Sequence, residues 1–109
     1  MSSAPTDGPA PVIETTSHPE RLRYEITVDG EVAGFTQYAD KRGVRTFVHT
    51  EIADRFEGMG LASRLIHDAL DDVRARGITI VAQCPFVRAY VERHPEVADL
   101  LAPADGGAR

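Results

Sequence analysis

The stretch Arg55-Phe56-Glu57-Gly58-Met59-Gly60 places two glycines one residue apart, directly before a segment of helical periodicity. A helix N-terminus exposes backbone N–H groups that lack an intrahelical partner and carries a partial positive charge of about half an electron. Gly58 and Gly60 bring no Cβ atoms to block an anion from those groups, the arrangement that holds pyrophosphates in several unrelated folds. The same glycines would equally serve a tight turn from strand to helix, and spacing alone does not separate the two readings. Two better-known phosphate motifs are excluded. A P-loop ends in Gly-Lys-Ser/Thr, whereas Leu61-Ala62 follows Gly60. A dinucleotide fingerprint sits in a βαβ unit, and the residues upstream of Arg55 read instead as an antiparallel meander.

Three further positions carry chemistry. His49 and Glu51 alternate with Val48, Thr50 and Ile52, so a strand there presents both to one side. An imidazole or carboxylate so placed suits general-base work, and a polar strand edge facing solvent would have the same pattern. Cys84 is the one cysteine and precedes Pro85, a first-turn helix residue. Thiolates are nucleophiles and helix N-termini favour them, while a buried, inert cysteine is the plain alternative. His18 and His67 give no functional signal, and no His/Cys/Asp/Glu cluster has metal-ligand spacing, so no metal is expected.

The elements that must position these residues follow from periodicity. Leu22, Tyr24, Ile26 and Val28 alternate with polar residues, a half-buried strand, and Asp29-Gly30 is a strong hairpin signal. A second strand is expected over 32–38 and a third over 44–52, separated by a polar turn ending at Gly43. Leu61, Leu65, Ala69 and Val73 then recur at helical spacing beside Ala62, Ile66 and Leu70, with Arg64, His67, Asp68, Asp71 and Arg74 on the other face. Gly77 caps that helix. Residues 78–82 read as a buried strand, and Pro85 and Pro95 bracket a second helix, with one more helical turn after Pro95. A strand, helix and strand in succession imply a right-handed crossover with parallel pairing.

Composition sets outer bounds. The 109 residues suit one domain, and 42% apolar with 27% charged residues is an ordinary globular balance. A net charge of −5 argues against a nucleic-acid partner while leaving basic substrates open. A single cysteine fits a reducing compartment, and no apolar run is long enough to span a bilayer, so a cytoplasmic location without membrane contact is expected. Residues 1–19 and 102–109 are rich in Pro, Ser, Gly and Ala and read as solvated tails, leaving 20–101 as the folded unit. Oligomeric state is not legible.

Arg55-x-x-Gly58-x-Gly60, after a β-rich strand and before an amphipathic helix, resembles the Arg/Gln-x-x-Gly-x-Gly/Ala signature of the GNAT superfamily of acyl-CoA-dependent N-acetyltransferases. Val48 to Ile52, Phe56 to Ala62 and Cys84 to Tyr90 extend the resemblance to a small single-domain subgroup of that superfamily. It implies an α+β fold with a mixed, mostly antiparallel sheet and packed helices, an acetyl-CoA cofactor and an amine acceptor. Backbone groups of Ile52 and Ala53 would meet the pantetheine arm. The loop from Glu57 through Gly58, Met59 and Gly60 to Leu61 and Ala62 would hold the pyrophosphate, with Arg55 adding charge. Cys84 would lie near the thioester, His49 or Glu51 would deprotonate the amine, and the Tyr90 phenol would protonate the departing thiolate. Arg88 and Arg93 are candidates for the 3′-phosphate. The superfamily's usual N-terminal helices, which help to bind the acceptor, have no counterpart here. A non-catalytic acyl-CoA-binding or sensing module, or a small interaction domain whose glycine turn is only a turn, are the alternatives.

Overall fold

The computed structural model describes residues 10–103. Five strands form one sheet in the order β1-β2-β3-β4-β5, with β1 at Ile13–His18, β2 at Arg23–Val28, β3 at Glu31–Lys41, β4 at Val44–Ile52 and β5 at Thr79–Ala82. The first four strands are antiparallel and β5 joins β4 in parallel, the product of the crossover through helix α1, Leu61–Arg76. Helix α2, Pro85–Arg93, follows β5, and a 3-10 segment runs from Pro95 to Leu100. The mixed, mostly antiparallel α+β architecture is the expected one. Among the described residues no helix is long and apolar enough to cross a membrane.

Strand β1 is a correction. Residues 13–18 were expected to belong to a solvated tail, yet they pair along their whole length with β2, from Ile13 opposite Val28 to His18 opposite Arg23. Ile13 is the only apolar side chain in this segment, which is why no periodicity announces it. Its stability comes from backbone pairing and from polar ties, such as the Thr15 hydroxyl donating to Asp68 of α1 at 2.7 Å. Of the other expected tail residues, Val12 and Ala102 also bond to the sheet, the Val12 carbonyl accepting the Asp29 amide and the Ala102 amide donating to the Ile80 carbonyl, while 1–9 and 104–109 lie outside the described residues.

One face of the sheet carries the core. Tyr24 and Ile26 of β2, Thr36 and Tyr38 of β3, Phe47 and Thr50 of β4 and Ile80 of β5 are buried beneath α1. That helix supplies Leu61, Leu65, Ile66, Ala69, Leu70 and Val73, the stripe its periodicity foretold, each except Ala69 contributing about 1.5–3 kcal/mol of burial. A polar network closes the far end of this interface. The Tyr24 hydroxyl donates to Asp72 of α1 and accepts from the buried Arg45, each at 2.6 Å, and Arg45 also holds Asp40 through two nitrogens. Burial raises the Tyr24 pKa well above the usual tyrosine range, with the Asp72 carboxylate adding to the effect.

Two bulges set which residues face which way. Ala33 is an extra residue in β3 against Ile26 and Thr27, and Val48 is an extra residue in β4 between the pairs Tyr38–Phe47 and Gln37–His49. Because of the second bulge, Phe47, Thr50 and Ile52 lie on the helix side while His49 and Glu51 emerge on the other. That opposite face carries Arg23, Glu25, Phe35, Gln37, His49 and Glu51, and apart from Glu25 none of these is buried.

Candidate functional site at the β4–β5 gap

The parallel pairing of β4 with β5 covers only Val44 to Phe47. Beyond it the Phe47 carbonyl accepts the amides of Gln83 and Cys84, and β5 gives way to α2 while β4 continues to Ile52. A gap therefore opens beside residues 48–52. The Ala53 amide donates to the Ala33 carbonyl at 2.8 Å, and a Cβ on Gly34 would collide with the Glu51 carbonyl, so residues 51 and 53 turn their backbone groups toward β3. By the alternation of an extended strand, the amides of Thr50 and Ile52 point the other way, into the gap.

The loop after β4 leads to the start of α1. Gly58 and Gly60 have φ of +86° and +74°, a left-handed backbone that favours glycine, so the tight-turn reading is correct in itself. A Cβ added at either position would meet no protein atom within 4 Å, so the space above both is also open to a ligand. The N-terminus of α1 has no side-chain cap and no acidic residue in its first turn. The first intrahelical bond runs from the Arg64 amide to the Gly60 carbonyl, leaving the amides of Leu61, Ala62 and Ser63 without helical partners. They border a groove of about 270 Å³ lined by Ile52, Phe56, Glu57, Gly58, Gly60, Leu61, Ala62, Ser63 and Phe86. A second groove of about 390 Å³ adjoins it, sharing Ala62, Ser63 and Phe86, and continues between α1 and α2 past Ile66, Ala89, Tyr90 and Arg93. The donor set and the open space fit the pyrophosphate and nucleotide of an acyl-CoA.

The expected site residues distribute unevenly over this geometry. Ile52, Glu57, Gly58, Gly60, Leu61 and Ala62 line the first groove. Ala53 does not, and its carbonyl accepts the Phe56 amide while its N–H is taken by Ala33, so its backbone is already engaged inside the protein. By strand alternation the Thr50 amide, rather than that of Ala53, joins Ile52 in facing the gap. Met59 and Arg55 also lie off the lining. Arg55 pairs with Glu31 at the start of β3 and stacks its guanidinium 4.5 Å over the Phe56 ring, so a phosphate contact requires that pair to open. Arg93 borders the second groove, whereas Arg88 turns back to the Gln83 carbonyl. Ser63 and Phe86, which sequence reasoning passed over, line both grooves. Phe86 is large, apolar and 48% exposed, a mismatch visible only once the fold shows it outside the core.

The candidate catalytic residues fall on two sides of β4. On the helix side Cys84 is 1% exposed and its thiol donates to the Thr50 hydroxyl at 3.1 Å, which in turn pairs with Thr36 at 2.8 Å. Tyr90 is nearly buried in the groove wall and stacks on His94 with ring centroids 4.0 Å apart. Burial raises its pKa above the usual tyrosine range, with the carboxylates of Glu96, Asp71 and Asp68 adding to this. On the open side His49 Nε2 lies 2.8 Å from the Glu51 carboxylate, both side chains more than half exposed. Elsewhere, His67, Asp68 and Asp71 bring ligand-type atoms together on the exposed face of α1, but Asp68 is already engaged by Arg64 and Thr15.

A sheet opened beside an uncapped helix N-terminus offers an anion site next to free strand backbone. A family model described as GCN5-related N-acetyl-transferase matches residues 23–100, and the chain belongs to this family. A solved structure of a GCN5-related N-acetyltransferase from Sphaerobacter thermophilus is similar at 18% identity and a TM-score of 0.48. The match covers 68% of this chain and 28% of that one, so the chain spans little more than a quarter of that protein's length. No curated protein matches.

Proposed function

We propose that the chain is an acetyl-CoA-dependent N-acetyltransferase in which donor and acceptor meet across β4. The observation that carries this reading is the continuity of the free amides at the start of α1 with the gap beside β4. Acetyl-CoA supplies an acetyl group activated as a thioester. Leu61, Ala62 and Ser63 hold its pyrophosphate through backbone N–H groups, and Arg93 takes the 3′-phosphate at the end of the second groove. The Thr50 and Ile52 amides orient the pantetheine arm and donate to the oxygen that gains charge during transfer.

On the open side His49 removes a proton from the amine at Nε2, and Glu51 stabilises the imidazolium so formed. Tyr90, protonated at neutral pH, donates to the departing thiolate. Direct attack is favoured over a route through Cys84, because the thiol is sealed in the core and bonded to Thr50 while His49 stands at the opening.

Ala62→Glu tests the cofactor site. The backbone there is helical, so a glutamate adds a carboxylate to the groove without turning the chain into a disfavoured conformation. Calorimetry should show acetyl-CoA affinity falling by at least about tenfold, equivalent to 1.4 kcal/mol. Unchanged affinity would remove the pyrophosphate assignment. A panel of amines and lysine peptides should release free thiol faster than the uncatalysed rate, and binding without turnover across the panel would leave an acyl-CoA-binding module.

A further inference from the structure

The proposed transfer does not by itself fix how long an acyl group the site admits, and the closed end of the β4–β5 gap bears on it. Ile52 is the β4 residue that lines the first groove, so an arm entering from the start of α1 follows β4 backwards, from Ile52 to Thr50 and on toward Phe47. The gap ends there. The Phe47 carbonyl accepts the amides of Gln83 at 3.1 Å and Cys84 at 2.8 Å, which joins β4 to the start of α2. Side chains seal the same end. The Cys84 thiol donates to the Thr50 hydroxyl at 3.1 Å, and the Thr50 and Thr36 hydroxyls pair at 2.8 Å. Among the described residues the thiol–hydroxyl bond is the one side-chain hydrogen bond that crosses from β4 to the start of α2. Thr36, Thr50 and Cys84 are all buried, in a core that includes the fully buried Phe47 and Val87.

Open space stops short of this seal. Neither groove beside α1, nor the cavities near Arg45 and beside β5, has Phe47, Thr50 or Cys84 in its lining. The direction of the acyl group follows from the chemistry of a thioester, whose carbonyl carbon is trigonal. Its oxygen rests on the Thr50 and Ile52 amides and its sulfur leads back along the arm toward α1, so its third substituent is directed at the closed end. Apolar side chains would close that end with no polar atom to satisfy, whereas a buried thiol and two buried hydroxyls are stable only while bonded to one another. Those bonds fix the rotamers of Thr50 and Cys84. The wall cannot swing aside for a larger group without leaving buried hydroxyls unpaired.

Resting on the acetyltransferase reading, we infer that the side chains of Thr50 and Cys84 form the end wall of the acyl site and set its selectivity among acyl donors. The single methyl of an acetyl group ends against this wall. Each further methylene has to enter the sealed core or force the carbonyl off the Thr50 and Ile52 amides. Cys84 therefore acts through its volume and its hydrogen bond, as a specificity-determining residue that forms no bond to the acyl group. This role accounts for a thiol placed beside the gap yet buried and bonded to a hydroxyl, an arrangement of no use to a nucleophile.

The test uses the full chain, the fastest amine of the panel and three donors: acetyl-, propionyl- and butyryl-CoA. In the wild type kcat/KM should fall along that series, with propionyl-CoA at least about tenfold below acetyl-CoA, the discrimination one extra methylene gives in a closed pocket. Cys84→Ala removes one sulfur atom from the wall, room for about one methylene, and should narrow the acetyl-to-propionyl ratio at least about fivefold. Thr50→Ser, which removes a methyl from the same wall and keeps the hydroxyl, should move the ratio in the same direction. Cys84→Ser keeps the donor and most of the volume, and should hold the wild-type preference. A general loss of stability would lower all donors together and leave the ratio unchanged. Equal use of propionyl- and acetyl-CoA by the wild type, or a ratio that neither Cys84→Ala nor Thr50→Ser moves, would overturn the end-wall assignment while leaving the transferase reading intact. No turnover with any donor or amine would remove both.

Discussion

Replacing Gly34 by alanine is the sharpest single probe of how the sheet positions the gap. Gly34 sits opposite Ile52 in the pairing of β3 with β4. A Cβ there would collide with the Glu51 carbonyl oxygen and with Cδ1 of Ile52, and would lie 3.1 Å from the Ile52 Cα. These are mainly backbone atoms of a paired strand, so no side-chain rotation relieves the clash. Ordinary carbon contacts require about 3.5 Å, so the strands must separate locally by about 1 Å, and β4 can move only toward the gap. Overpacking of this kind costs about 1–3 kcal/mol. With about 4–8 °C per kcal/mol in a domain of this size, thermal unfolding should shift down by about 8–16 °C for a 2 kcal/mol loss. The Ile52 amide moves with the strand, and misplacement of a positioning group by about 1 Å is worth about 100-fold in rate. Calorimetric melting and steady-state kinetics at a temperature where both proteins are folded separate the two effects. A melting temperature within about 2 °C of wild type would refute the packing argument. A destabilised variant with unchanged kcat/KM would refute the role given to Ile52.

Four other outcomes follow from the geometry. Tyr24→Phe removes the hydroxyl shared by Asp72 and the buried Arg45, and should cost about 1–3 kcal/mol in urea unfolding. Burial opposes the charge on Asp72, but hydrogen bonds from Tyr24 and Arg76 and the charges of Arg76 and Arg45 outweigh it and hold the pKa below the usual aspartate range. The stability this confers is present above the unfolded aspartate value near 3.9 and is lost as pH falls through the lower folded value, so Asp72→Asn should flatten stability against pH in that acid window. His49→Gln should lower kcat/KM by about 100-fold or more with acetyl-CoA affinity retained. Cys84→Ala should keep most of its activity, and mass spectrometry after incubation with acetyl-CoA should find no hydroxylamine-labile acetyl group on the wild-type thiol; a labile acetyl group there would restore the covalent route.

Much of the fold was legible because its signals are local. The α1 stripe, the Asp29-Gly30 hairpin and the Pro85 helix start each depend on residues within one element, and all three stand where they were expected. Strand β1 was not legible because an edge strand can be held by backbone pairing and by a distant aspartate, neither of which leaves an apolar rhythm. At the site, the glycine loop was readable as a pair of possibilities, and the structure shows that turn and open groove coexist. The Arg55–Glu31 pair was not legible for a non-local reason, since Glu31 lies 24 positions upstream in sequence and only the sheet brings it near. Buried polar residues such as Arg45, Thr36 and Thr50 were invisible for the same cause.

The extra residue at Val48 has a genetic consequence. It shifts the phase of β4, so that the residues before it and those after it obey opposite parity rules about which side they occupy. Removing that one codon would leave every chemical group present in the sequence. It would return β4 to plain alternation, with Phe47 inward, His49 outward, Thr50 inward and Glu51 outward, so each of these side chains would keep its present side of the sheet. Position 48 should thus tolerate deletion as well as substitution, because the bulge absorbs a residue that the alternation of β4 does not need.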